Sequence, residues 1–339
     1  MTPEIFTLLK ILGFSTISFI LALAITPSIY GQILKNGRKK TREFLDFHSS
    51  KNGTPTMGGI IIWITVLIVI FTTFFLAKIF PETFSKFNFL TRPQTYLPVG
   101  TLIFAALLGL FDDILVNLEK KLLRVKTKLI IFSLAGLVGG LWFHSKLGWQ
   151  EIHVPFVGNF AIDGWYIPLF IFIIIGASFS ANETDGLDGL LGGVMAIVFF
   201  MYTIITFALG KYELAIFCAT IVGALIAFLW FNIYPAKFFM GDTGSVMLGI
   251  TTGTIAMLTD TVLLLPFFMF VPVIETLSVI IQITSIKLRS GKKIFLFTPL
   301  HHHFEKLGWP EMQITMRFWI INGVVSSIGL LIFFLDRQL

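Results

Sequence analysis

The sequence predicts an all-α, polytopic membrane protein that crosses a bilayer about ten times and carries one short outer β-hairpin. Three observations carry this prediction. Of the 339 residues 55% are hydrophobic, 38 of them Phe, and the mean hydropathy is +0.87. Apolar runs of about 20 residues, enough to cross a hydrocarbon core as helix, recur along the whole length. The runs are apolar on every face, whereas strands of a transmembrane barrel would alternate. A soluble fold has no means of hiding this much apolar surface.

The expected spans are 5–31, 57–79, 95–116, 127–144, 165–181, 188–209, 212–231, 243–259, 262–286 and 315–335, in a single integral membrane domain covering 1–339. The first run is too long for a signal peptide and has no basic stretch ahead of it, so it reads as a span. Residues 148–165 differ: EIHVPF and NFAIDGW alternate around a VGN turn, which is the pattern of a hairpin. Pro266 and Pro272 in 262–286, with Glu275 between apolar turns, predict a kinked or broken helix. The lone cysteine, Cys218, excludes an internal disulfide and reads as buried filler; His48 and His153 read as incidental.

The net charge of +6 does not point to nucleic acid, because the basic residues sit in loops between spans. They crowd the loops after 5–31 (Lys35, Arg38, Lys39, Lys40, Arg42, Lys51), after 95–116 (Lys120, Lys121, Arg124, Lys126, Lys128) and after 262–286 (Lys287, Arg289, Lys292, Lys293, Lys306). The intervening loops carry far fewer. Positive-inside logic places the crowded loops in the cytoplasm and both termini outside. Asp112, Asp113, Asp185, Asp188 and Asp242 then share the cytoplasmic face. A carboxylate at a membrane edge is expensive unless a metal, a lysine or a helix N-terminus answers it, so this face is where function is sought.

Four constellations lie there. Asp112 and Asp113 end a span, and adjacent helical residues point about 100° apart, so the two carboxylates have different jobs. Asn182, Asp185 and Asp188 are spaced by three, which in a helix gives adjoining positions on one face, and Gly186 and Gly189 permit close approach. In FNIYPAKFFMGDTGSVMLG, Asp242 opens a Gly-, Thr- and Ser-rich helix start that suits phosphate, and it is a hard oxygen ligand of the kind Mg2+ shares with phosphates. Phe238 and Phe239 there offer a stacking surface for a base. GTPTMGG at 53–59, with Thr56 inside it and Lys51 ahead, resembles a phosphate-contacting loop but lacks the ending of a P-loop. His301, His302 and His303 are consecutive and point different ways, so they suit pyrophosphate better than one shared metal, with Glu305 placed to orient one of them.

At these residues the chain resembles the phospho-N-acetylmuramoyl-pentapeptide transferase family of the polyprenyl-phosphate N-acetylhexosamine-1-phosphate transferase superfamily. The resemblance rests on KNGTPTMGG, FDD, NETDGLDGL, FNIYPAKFFMGDTGS and PLHHHFEKLGWPE, in that order. It implies transfer of phospho-MurNAc-pentapeptide from UDP-MurNAc-pentapeptide to undecaprenyl phosphate, giving lipid I and UMP, by a homodimer in the bacterial inner membrane. It implies Asp242 as the Mg2+ ligand, Asp112 as a base for the lipid phosphate and Asp113 assisting. Lys51, Asn182, Asp185, Asp188, Asn232 and Phe239 would line the nucleotide site, and Lys120, Lys128, His301, His302 and His303 would serve phosphates and sugar. A groove beside the broken 262–286 helix would admit the lipid tail. The family commonly has Asn-Leu-Thr-Asp before GLDGL; here Glu183 takes the place of the apolar residue. Two rivals stand beside this reading. One is the same chemistry on UDP-N-acetylglucosamine; the other is an ion-coupled transporter, which would need paired repeats and polar groups at mid-membrane.

Overall fold

In a computed structural model, residues 2–36, 54–91, 93–119 and 125–338 are described. Among them nine helices are long and apolar enough to cross a membrane. The tenth expected span is present as Asp242–Leu258, a helix of 17 residues that is shorter than the rest. The chain divides into two compact units, 1–122 with 202–247 and 123–201 with 248–339.

The first unit contains α1 (Pro3–Asn36), α2 (Ile60–Ile79), the single turn α3 (Pro81–Phe84), α4 (Pro93–Glu119) and α8 (Tyr212–Asn232). α8 is its core. A helix apolar all round belongs in an interior, and α8 is buried along most of its length, Cys218 included. α1 lies along it at close range because Gly223 has no side chain: a Cβ there would sit 2.0 Å from the Ser15 carbonyl oxygen. Small residues let helix backbones approach where lipid gives no hydrophobic drive. The Ser18 hydroxyl, buried in the same seam, donates to the Thr220 carbonyl at 2.7 Å. The outer side of α1 presents Ile5, Leu8, Leu9, Leu12, Ile17 and Ile20.

The second unit contains α5 (Val125–Lys146) and α6 (Tyr166–Thr184), most of α7 (Leu190–Ala208) and of α9 (Asp242–Leu258), and then α10 (Leu265–Phe268), α11 (Phe270–Leu288), α12 (Leu300–Lys306) and α13 (Glu311–Arg337). α5 and α6 pack through glycines: Cβ atoms at Gly136 and Gly139 would lie 2.8 Å from Ile171 and 2.6 Å from Phe170. The expected hairpin joins them. β1 (Glu151–Val154) and β2 (Gly158–Ala161) are antiparallel, with Glu151 opposite Ala161 and Val154 opposite Gly158. His153 is not incidental to it. Its Nε2 lies 2.6 Å from Asp336 Oδ2, and the other oxygen of Asp336 accepts the Phe156 N–H at 2.6 Å, so one carboxylate of α13 ties the hairpin down. His48 lies outside the described residues.

The predicted break in 262–286 falls at Met269, between α10 and α11, with Pro266 and Pro272 each in a first helical turn, where the missing N–H costs nothing. Backbone groups freed at such a break need partners inside a membrane. Asn322 of α13 supplies them: its Nδ2 donates to the Phe268 carbonyl at 3.0 Å and its Oδ1 accepts the Val271 N–H at 3.0 Å. Ser326 adds a bond to the Phe268 carbonyl at 3.1 Å. Asn322→Leu is expected to lower stability by about 1–3 kcal/mol, the cost of leaving buried backbone groups unpaired, read as a lower melting midpoint of the purified protein in detergent.

Candidate active site

Site residues of the first unit gather around the start of α9. α8 ends at Asn232, and a short loop turns through Gly241, whose φ of +74° favours glycine, before α9 opens at Asp242. The loop is fixed at three points. Asn232 donates from Nδ2 to the Phe238 carbonyl at 2.8 Å. Phe238 is fully buried, with ring centroids of Phe228, Tyr30 and Phe231 at 5.5, 5.8 and 6.1 Å. It is therefore core and not the stacking surface expected of it. Phe239 is 6% exposed.

The third fixing point is the segment ahead of α2. The Phe239 N–H donates to the Pro55 carbonyl at 2.9 Å, and the Gly58 and Gly59 N–H groups donate to the Phe239 and Met240 carbonyls at 2.8 and 2.9 Å. GTPTMGG thus spends those two amides inside the protein, where the sequence reading had a phosphate-contacting loop. Gly58 and Gly59 are there for contact: a Cβ at Gly58 would meet the Phe238 ring at 2.3 Å, and one at Gly59 the Gly244 nitrogen at 2.3 Å. Thr56 is buried in this seam.

α4 delivers the aspartate pair. Asp113 accepts from the Thr243 N–H at 2.9 Å, the Thr243 hydroxyl at 2.6 Å and, more weakly, the Asp242 N–H at 3.3 Å. The first amides of a helix lack partners within it, and a carboxylate there is also favoured by the helix dipole. Asp113 is therefore a cap for α9 delivered from another helix, and it fixes the backbone that carries Asp242. Gly109, one turn earlier on α4, allows the approach, since a Cβ there would sit 2.2 Å from the Asp242 carbonyl oxygen. Asp112 points elsewhere and is 1% exposed; Asp242 is half-buried. The sequence reading missed Gly109 and Gly241, although each is a glycine beside a charged motif. Lys51 and Lys120 lie outside the described residues.

In the second unit the NETDGLDG motif is not one helix. α6 ends at Thr184 and α7 begins at Leu190, so Asn182 is helical while Asp185 and Asp188 sit in the intervening turn. The helical face expected for the three is replaced by a turn, because the Asp185 and Gly186 amides fold back on the Asn182 and Thr184 carbonyls at 3.2 and 2.8 Å. α13 clamps this turn: Glu311 accepts the Asp188 N–H at 2.6 Å, Thr315 donates to the Asp188 carbonyl at 3.2 Å, and the Trp319 indole donates to Gly189 and Leu190. Glu311 was not singled out from sequence; its signal was the GWPE that follows the histidines.

The three histidines diverge as expected. The His301 N–H and ring Nδ1 lie 3.1 Å from the Glu275 carboxylate, with both residues buried. His302 Nδ1 pairs with Glu305 Oε2 at 2.6 Å, and His303 Nδ1 accepts the Leu296 N–H at 3.1 Å. Lys128 on α5 is buried apart from 9%. Among the described residues no three His, Cys, Asp or Glu side chains group to hold a metal.

Apolar helices with capped and clamped carboxylates at their ends define the class: a multi-pass membrane protein that holds polar groups at its helix ends. Residues 96–260 match the family described as Glycosyl transferase family 4, and residues 51–62 match signature 1 of the phospho-N-acetylmuramoyl-pentapeptide-transferases. Curated relatives of that name include proteins of Geobacillus sp. (strain WCH70), 37% identical over 93% of this chain and 95% of its own, and of Bacillus subtilis (strain 168), 38% identical over the same shares. One from Levilactobacillus brevis is 36% identical over 95% of this chain and 97% of its own. The chain belongs to the phospho-N-acetylmuramoyl-pentapeptide-transferase family.

The capping geometry predicts that Asp113→Ala destabilises the protein without any substrate present. The expected cost is about 0.5–2 kcal/mol, that of a lost helix cap, read as a lower melting midpoint in detergent. An unchanged midpoint would leave Asp113 with no structural role.

Proposed function

We propose that this protein transfers phospho-MurNAc-pentapeptide from UDP-MurNAc-pentapeptide to undecaprenyl phosphate in the bacterial inner membrane, releasing UMP and forming lipid I. The observation that carries the proposal is the Asp113-capped start of α9 with Asp242 at its head, in a chain related over nearly its whole length to proteins named for this transfer. In the reaction an oxygen of the lipid phosphate attacks the phosphorus bonded to the sugar. The bond from that phosphorus to the bridging oxygen breaks, and the electron pair leaves on UMP.

The family's transferases depend on a divalent metal. The residues fit one: Asp242 offers an oxygen ligand at the head of α9, and an ion that keeps water and shares substrate phosphates, as Mg2+ does, is held by as few as one or two carboxylates. Bound there, Mg2+ would neutralise charge on the diphosphate and on the departing UMP. Asp113 would keep α9 in place beneath Asp242. Asp112 is assigned to the acceptor side, where the lipid phosphate is already largely ionised, so the carboxylate positions it or a lysine. Lys51, Thr56, Asn182, Asp185, Asp188, Asn232 and Phe239 are assigned to the nucleotide, with Phe239 against uracil. Lys120, Lys128, His301, His302 and His303 are assigned to phosphates and sugar. The reading places these groups at the cytoplasmic face of a single membrane domain, with both termini outside and two copies forming a homodimer.

Purified protein in detergent is expected to release UMP from UDP-MurNAc-pentapeptide and undecaprenyl phosphate only when Mg2+ is present. Turnover of UDP-N-acetylglucosamine alone would instead assign the chain to the smaller sugar. Asp242→Ala should lower UMP release by about 100-fold or more, the scale on which charge stabilisation is lost from a transfer site. Full activity in that variant would remove the metal role.

A further inference from the structure

The sequence placed Glu275 deep in a span, and the transfer reaction as read above gives it no task. Its surroundings do. On α11 the buried residues Glu275, Ser278, Gln282 and Ser285 recur at three- and four-residue spacing and so form one polar seam along a membrane helix. The seam holds down the segment that leads to the histidines. Ser285 donates to the Lys292 carbonyl at 2.8 Å. Gln282 accepts the Ile294 and Phe295 N–H groups at 3.0 and 3.1 Å and returns a bond to the Phe295 carbonyl at 2.8 Å. Glu275 completes it by accepting the His301 N–H at 3.1 Å to one oxygen and 3.3 Å to the other.

The same carboxylate addresses the His301 ring. Nδ1 lies 3.1 Å from Glu275 Oε2, with Glu275 fully buried and the His301 side chain 1% exposed. A carboxylate 3.1 Å from one ring nitrogen fixes how the ring turns, by proximity and charge, since Nδ1 makes no aligned hydrogen bond to it. Nε2 is then the nitrogen turned the other way. It is buried, has no hydrogen-bond partner among the described residues, and is pressed against the NETDGLDG turn. A Cβ at Gly186 would lie 2.0 Å from it, so only glycine admits the ring at this place. A buried imidazole nitrogen left without a partner beside a carboxylate-bearing turn is set for something that is not protein.

We infer that Glu275 is a positioning residue that acts through His301, holding Nδ1 so that Nε2 is presented to a phosphate or sugar oxygen of the nucleotide-sugar donor. The inference rests on the assignment of His301 to that donor. It also gives this buried carboxylate a task other than lining an ion path. The rival is purely structural: Glu275 accepts the His301 N–H only to anchor α12.

The Gln variant separates the two, because a Gln oxygen still accepts the His301 N–H while the negative charge beside Nδ1 is gone. Mg2+-dependent UMP release and the melting midpoint in detergent would be measured for Glu275→Gln, His301→Gln and the double variant. Glu275→Gln is expected to keep its midpoint and its KM for undecaprenyl phosphate while kcat falls about 10- to 100-fold, the usual size of losing an orienting partner of a functional histidine. The double variant is expected to be no slower than His301→Gln alone. Wild-type kcat in Glu275→Gln, with His301→Gln impaired, would overturn the inference and leave the assignment of His301 standing. Losses that multiply in the double variant would likewise overturn it, since Glu275 would then act independently of His301. Full activity in His301→Gln would overturn the assignment and the inference together.

Discussion

The bond network between Asp113 and the first residues of α9 is the constraint on which the first unit's candidate site depends. A helix that starts inside a membrane protein leaves amides without partners, and burying them unpaired costs more than any single contact nearby returns. Here the partner comes from another helix. One carboxylate takes both donors of Thr243 and the amide of Asp242, which locks α4 to α9 and sets the position of Asp242. Gly109 makes that approach sterically open, and Asn232, Gly58 and Gly59 hold the loop that enters α9. Asp113 and Asp242 are therefore placed differently: Asp113 caps the first residues of α9, while Asp242 sits at the positive end of a helix dipole, where the backbone favours anionic groups.

The second unit solves the same problem with other residues. Its carboxylates and histidines hang on turns and short segments, which α13 and the polar seam of α11 immobilise. Glu311 and Thr315 take the backbone of Asp188, and Trp319 takes the next two carbonyls. Ser285, Gln282 and Glu275 pin 292–301. In lipid, irregular backbone survives only where side chains satisfy it, so these polar residues on membrane helices are what permits non-helical structure to carry the functional groups. Asn322 at the α10–α11 break follows the same rule.

Much of this was legible in the sequence, because hydropathy and proline placement are strong local signals. The order of spans, the hairpin at 151–161, the broken helix near Pro266 and Pro272 and the diverging histidines all follow from composition and spacing. What was not legible depends on long-range partners. A spacing of three reads as a helical face, and only the folded chain shows that Asp185 and Asp188 lie in a turn. GTPTMGG reads as a loop resembling a phosphate-contacting one, and only the folded chain shows that Gly58 and Gly59 pack closely against Phe238 and Gly244. Asp113 reads as having a job unlike that of Asp112, but nothing local announces that Thr243, far along the chain, claims it. His153 reads as incidental because its partner, Asp336, is on the last helix.

The central claim is that α9, held by Asp113, presents Asp242 to a metal that is completed by substrate phosphates. Manganese as a spin-active stand-in for Mg2+ tests this most directly, by titration of the detergent-purified protein followed by electron paramagnetic resonance. The account predicts weak Mn2+ binding alone, clear tightening when UDP-MurNAc-pentapeptide is added, and no tightening in Asp242→Asn. Tight binding without the nucleotide, or tightening that persists in Asp242→Asn, would contradict it.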